Sequence, residues 1–245
     1  MPYVMRTTKA GKTIEVEKYY TSRYKKKDIK RGNRVRPTNE QQKKINTKIA
    51  ERKLRLILNE NFSHKDIHLV LPYARARGEP QVSKEQMRKD IDKFLRQLRV
   101  EIKKLGKELK YVHVMEIGTH GARHHHLVIN CDDIHLLQRL WTKARVQIFP
   151  LDKDGQYAKL ASYLIKYTDK TVGTDEALQG RRWNSSTNLR HPEPKIEIIS
   201  KRDWYRTEPK PMKGYYLEKD SIEIGVHNPE YSGYGFLRYR MIQMQ

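Results

Sequence analysis

Apolar and polar positions change period repeatedly along the chain, and each change marks an element. Tyr3 to Tyr20 reads as a hairpin around Lys9-Ala10-Gly11-Lys12, because the β-branched Thr13, Ile14 and Val16 follow the turn signal. Thr38 and Gln41 stand in capping-box register, and Ile45, Ile49, Leu54, Leu56, Ile57 and Leu58 continue as a helical stripe to Glu60. Ile67 to Tyr73 is a short, almost unbroken apolar run, the pattern of a buried strand. Ser83 and Gln86 repeat the capping signal. Met87, Ile91, Phe94, Leu95, Leu98, Ile102 and Leu105 then hold helical spacing up to Gly106. Tyr111–Ile117 and Arg123–Asn130 form two strands around a Gly118–Gly121 turn. Asp132 or Asp133 caps a helix through Leu136, Leu137, Leu140 and Trp141, before a strand at Val146–Phe149 and a helix at Tyr157–Thr168. Past Gly173, prolines 192, 194, 209 and 211 punctuate the chain, leaving short strands at 196–199 and 222–226.

Hairpin-linked strands alternating with helices predict an α+β fold, a central antiparallel sheet with packed helices. Three segments follow: a basic N-terminal appendage over 1–36, a main domain over 37–190, and a C-terminal accessory segment over 191–245. Within the appendage, Arg23 to Arg36 reads either as a solvated tail or as a nucleic-acid contact.

The candidate chemistry lies in Ala122-Arg123-His124-His125-His126-Leu127-Val128-Ile129-Asn130. On a strand, alternation sends His124 and His126 to one face and His125 to the other. Glu116 sits across the turn on the neighbouring strand, where a hairpin brings its carboxylate opposite the imidazoles. His113 falls on the other face by parity, and His120 in the turn is a weaker candidate. Two imidazoles and a carboxylate suit a divalent ion, Mg²⁺ or Mn²⁺, the latter binding tighter. Further on, Tyr163, Lys166, Tyr167 and Lys170 repeat a Tyr-x-x-Lys unit, which puts both phenols on one helix face. A phenol needs a cationic neighbour or a metal-held phosphate to attack near neutral pH. Metal and phenol together point to transesterification at a phosphodiester. Iron oxygenases and zinc hydrolases share the His-His-carboxylate set, but those sites need no lysine-flanked tyrosine pair.

The ordered set resembles the HUH superfamily of single-strand DNA nickases, the rolling-circle replication initiators. Its signature is His-hydrophobe-His on a strand, followed by a Tyr-x-x-Lys helix; here a histidine fills the middle slot. Asp66–Tyr73 looks like the family's first motif, and Tyr111–Glu116 like the strand that supplies an acidic third ligand. Arg181–Leu189 is similar to a segment after the tyrosine helix in phage and bacterial replication-associated proteins. The resemblance covers roughly residues 64–190. It implies a palm related to the RNA-recognition and ferredoxin-like architecture. It also implies metal-dependent nicking and joining through a 5′-phosphotyrosine, with Tyr163 as nucleophile and Tyr167 either a second nucleophile or a packing aromatic. The histidine strand precedes the tyrosine helix, the order of replication initiators rather than conjugative relaxases. A transposase of the same superfamily and a non-catalytic nucleic-acid-binding module of the same fold are the competing readings.

Charge adds a partner. Lys and Arg total 51 against 29 acidic residues, a net charge of +22, which favours polyanions and salt-sensitive binding. Arg181, Arg182, Trp183, Asn184 and Asn188 combine cations, an aromatic plane and amides, the mix that binds single-stranded or origin DNA. No Gly-x-x-x-x-Gly-Lys-Ser/Thr loop occurs, so unwinding calls for a host helicase, with a polymerase to extend the primer. The lone Cys131 precludes an intramolecular disulfide framework. Without a long apolar run or a secretory leader, a cytoplasmic protein is expected and a membrane partner is not.

Overall fold

The computed structural model describes residues 2–21, 24, 39–74, 80–118, 121–169, 181–200, 208–227 and 234–244. In chain order the elements are β1 (Tyr3–Ala10), β2 (Thr13–Tyr20), α1 (Asn39–Asn61), β3 (Ile67–Pro72), α2 (Lys84–Lys104), β4 (Tyr111–Ile117) and β5 (Arg123–Ile129). Then come α3 (Ile134–Leu140), β6 (Gln147–Pro150), α4 (Ala158–Asp169), β7 (Asn184–Ser185), β8 (Lys195–Ile199), β9 (Tyr215–His227) and β10 (Tyr234–Gln243). Among the described residues, two antiparallel five-stranded sheets and four helices make an α+β fold. The chain divides into two compact units, one of residues 1–43 with 191–245 and one of residues 44–190.

The unit of residues 44–190 is a sheet of order β6-β3-β5-β4-β7 with a core on each face. On one face Leu69, Leu71, Leu127 and Ile129 pack with Ile91, Phe94, Leu95, Leu98 and Ile102 of α2 and with Leu136 and Leu137 of α3. On the other, Val112, Val114 and Val128 meet Leu54, Ile57 and Leu58 of α1 and Ala161, Leu164 and Ile165 of α4. The helix ends follow the expected chemistry. Ser83 Oγ accepts from the Gln86 amide, and Asp133, rather than Asp132, accepts from the Leu136 amide. Gly106, at φ 69°, carries the chain out of α2. Thr38 of the capping pair and all of Arg23–Arg36 except Tyr24 lie outside the described residues.

The unit of residues 1–43 and 191–245 has strand order β8-β1-β2-β10-β9. The sequence reading kept the two terminal segments apart; in the structure their strands hydrogen-bond into this one sheet. β9 runs 13 residues, longer than the short strand at 222–226, and β10 has no counterpart among the expected elements. Ile14, Val16, Leu237, Tyr239 and Met241 fill one face. The opposite face carries a cross-strand ladder: Arg6 and Arg238 both reach Glu17 (3.5 and 2.5 Å), and Arg238 also approaches Glu223 (3.5 Å).

A polar chain threads the α2/α3 core. His113 Nε2 lies 3.0 Å from His125 Nδ1, and His125 Nε2 lies 2.9 Å from the Tyr73 hydroxyl, which also bonds Asp90. One set of tautomers serves both contacts: His113 Nε2–H donates to His125 Nδ1, and His125 Nε2–H donates to the Tyr73 hydroxyl. Burial holds the His113 imidazole neutral, pushing its pKa down to about 3. Unfolding returns it to about 6.5, so the unfolded state binds more protons between those values and stability falls as pH drops from 6.5 towards 3. The urea midpoint should therefore fall on acidification from pH 7 to 5. His113→Gln, which keeps a donor for His125 but does not titrate, should show a smaller fall; an identical fall would remove His113 as a cause.

Candidate nucleic-acid processing site

The antiparallel register of β3, β4 and β5 sets which side chains share the α1/α4 face. Glu116 is directly opposite His124, Val114 and Val70 are opposite His126, and His68 is opposite Val128. Directly opposed residues point the same way, so Glu116, His124, His126 and His68 converge on one face while His113 and His125 leave on the other. At the β4–β5 turn Gly121 takes φ 77°, and its amide donates to Gly118 O (2.9 Å). A Cβ at Gly118 would crowd the turn itself, 3.3 Å from Ala122 O, and would reach ordinary contact with His124 Cε1 at 3.5 Å. Arg123 fastens the start of β5 by donating to Val82 O.

A cavity of about 680 Å³ opens over this face, lined by His68, Val70, Glu116, His124, His126, Gln147, Phe149, Lys159, Leu160 and Tyr163. Glu116 and His126 are buried at its floor, with Glu116 Oε2 in contact with His126 Nε2. Neither atom has a hydrogen-bond partner of acceptable geometry. His68 Nε2 lies 3.1 Å from His126 Nδ1. Burial, then His126, depresses the His68 pKa to about 3, so a neutral ring faces His126 Nδ1. When His68 Nε2 accepts from His126 Nδ1–H, the His126 Nε2 lone pair and the carboxylate oxygen are both available to a cation; in the other tautomer His126 Nε2–H points towards Glu116. An imidazole nitrogen and a carboxylate oxygen in contact, with the far ring nitrogen engaged, are donors that fit a divalent ion. His124, half-buried, has its pKa lowered by burial, with Glu116 pulling the other way and His126 adding to the fall. Its ring centre is 6.3 Å from that of His126. Among the described residues no three His, Cys, Asp or Glu groups already close around one point.

Tyr163 comes from α4. Its ring meets His126 edge-on with centroids 5.6 Å apart, and His68 at 6.1 Å. The side chain is 39 % exposed, open to the cavity and to solvent. Lys159, one turn before Tyr163, also lines the cavity; Lys166, one turn after, is exposed and outside the lining. Tyr167 lies one further turn along α4 by its backbone, while its side chain, like Lys170 and His120, is outside the described residues. The expected DNA-contact segment is placed elsewhere. Arg181 is exposed, Arg182 Nη2 donates to Thr47 Oγ1 (3.3 Å), and Trp183 packs partly buried against the α1/α4 core. Asn184 pairs with His113 in the β7–β4 ladder, and Asn188 Nδ2 donates to Glu108 Oε2 (3.2 Å) and Leu109 O (3.3 Å). None of the five lines the cavity.

Sequence reasoning passed over His68, Gln147, Phe149 and Lys159. Two of them left a readable trace: His68 shares the parity of Val70 on an apolar strand, and Lys159 stands four residues before Tyr163. Gln147 and Phe149 had none, since the pairing of β6 with β3 is a long-range fact. No helix among the described residues is long and apolar enough to cross a membrane.

Comparison with known proteins bears on the same stretch. No curated protein and no solved structure matches the chain. Residues 67–172, which run from β3 past α4 and include every residue lining the cavity, match the family model for Replication-associated protein ORF2/G2P, a similarity consistent with a rolling-circle replication initiator.

Proposed function

We propose that the chain is a metal-dependent enzyme of the HUH type that nicks and rejoins single-stranded DNA to initiate rolling-circle replication. The observation that carries the reading is the apposition of Tyr163 to the buried Glu116–His126 pair in one open cavity. Glu116, His124 and His126 would hold a Mg²⁺ or Mn²⁺ ion. Bound there, the ion supplies Lewis-acid polarisation of the scissile phosphate. His68 keeps His126 in the ligating tautomer. Tyr163 Oη attacks phosphorus, forming the phenolic O–P bond as the P–O3′ bond breaks. The phenol loses a proton and the departing 3′-oxygen gains one, leaving a 5′-phosphotyrosine and a free 3′-hydroxyl. The ester retains the bond energy, so a returning 3′-hydroxyl can reverse the step and join strands. Lys159 is placed to stabilise the phenolate or the charge on phosphorus, a role the sequence reading gave to Lys166 and Lys170. The +22 charge supports DNA as the partner, and a host helicase and polymerase complete the proposed replication role.

The direct test is a labelled single-stranded origin oligonucleotide incubated with Mn²⁺ and resolved on a denaturing gel. A covalent adduct is expected, lost with EDTA. Tyr163→Phe should abolish the adduct, while Tyr167→Phe should spare the first nick; an adduct peptide containing Tyr167 in the wild type would overturn the choice of nucleophile. Calorimetric titration with Mn²⁺ checks the ligand set without turnover. His68→Leu, which cannot accept from His126 Nδ1, should weaken binding by about 10–100-fold, the usual loss for an outer-shell partner; unchanged affinity would dismiss that role. Lys159→Ala should slow nicking by about tenfold or more and Lys166→Ala by less, given the usual size of electrostatic contributions at a reacting centre. Single-turnover rates at saturating DNA decide between the two lysines.

A further inference from the structure

Among the described residues β6 is the edge strand of its sheet, and only β3 pairs with it. Alternation places Gln147 and Phe149 on one face of it, opposite Val70 and His68 in the register, and both side chains line the cavity. Phe149 is 49 % exposed. The ring stands on an open sheet edge and faces the cavity, within reach of a ligand there. Here the ring is held in place: its centroid is 5.6 Å from that of His68 at 30°, so one flank rests on the imidazole. Tyr163 is in ring contact with the same His68, so the phenol and the open phenyl ring share one anchor. Val70 and Leu160 add apolar wall, and Lys159 adds a cation.

A flat aromatic surface with an apolar surround, an amine and a transesterification centre nearby has the chemistry of an unpaired nucleotide, with its base stacked and its phosphate paired. Duplex DNA buries its base faces in its own stack and cannot offer one. We propose that Phe149 is the stacking platform for one base of the single strand beside the scissile phosphate, so that base stacking as well as charge draws the strand into the cavity. The proposal rests on the reading that this cavity receives single-stranded DNA, but its test needs no cleavage.

Fluorescence anisotropy with the full chain in EDTA measures binding of a short labelled oligothymidylate and of the same backbone made abasic throughout. Phe149→Ala should weaken oligothymidylate binding by about tenfold, the scale of losing one stacked base, and leave abasic binding unchanged. Phe149→Trp should retain or tighten oligothymidylate binding, which also shows that substitution on this edge preserves the fold. Equal weakening on both strands, or no change on either, overturns the platform. Should the base-dependent loss appear while wild-type protein with Mn²⁺ forms no covalent adduct, the nicking reading fails and the stacking platform stands.

Discussion

The buried contact of Glu116 Oε2 with His126 Nε2 constrains the groups around it. Desolvating a carboxylate and an imidazole together is unfavourable unless the two stay together or share a cation, and the neighbouring strands hold them in place. That hold comes from the β4–β5 register that puts Glu116 and His126 on one face and from His68 engaging the far nitrogen of His126. Each feature makes sense if the pair is kept ready for a cation. None is needed to build an α+β sandwich, whose cores are complete without these groups.

The middle histidine shows how the site is braced from behind. Parity sends His125 through the sheet into the α2/α3 core, where Trp141 meets it edge-on at 5.6 Å and His113 and Tyr73 take both its nitrogens. A hydrophobe there would fill the same space. The histidine adds direction: its bonds to β4 and to the end of β3 tie β5 to both neighbours at the very residue between the two proposed ligands. Because packed interiors give way little, rotating His124 or His126 off the cavity face would break that buried chain. The structure thus accounts for the histidine in the middle slot as core chemistry, compatible with ligation by the flanking pair.

Local information was enough for the elements that build this face. The capping of α2 by Ser83, the strand parity of His124 and His126, and the opposition of Glu116 all follow from spacing of a few residues. What stayed hidden depends on pairing between distant segments. β7 forms at Asn184–Ser185 only because β4 offers its edge, so Trp183 and Asn188, which read as a loop rich in DNA-binding groups, are partly engaged in packing and in tying down Glu108. β10, by contrast, alternates Leu237, Tyr239 and Met241 with Arg238 and Arg240, so its strand was readable and only its partners were not. Its arginines are matched by Glu17 on β2 and by Glu218 and Glu223 on β9, partners that no local window contains.

Placing the phenol on a helix and the proposed ligands on strands divides the work in a way the geometry explains. Strands fix the ligands by cross-strand hydrogen bonds, whose register admits no small displacement. A helix packed on the sheet presents one side chain per turn, so Lys159, Tyr163 and Tyr167 occupy successive turns of α4, separated by about 6 Å along the axis. In-line attack at one phosphate selects a single turn. Ala161, Leu164 and Ile165, each almost wholly buried in the α1/α4 core, prevent α4 from sliding to exchange one turn for another. With the helix locked, the turn in ring contact with His126 is that of Tyr163, and Lys159 is the cation that the same lock leaves on the cavity wall.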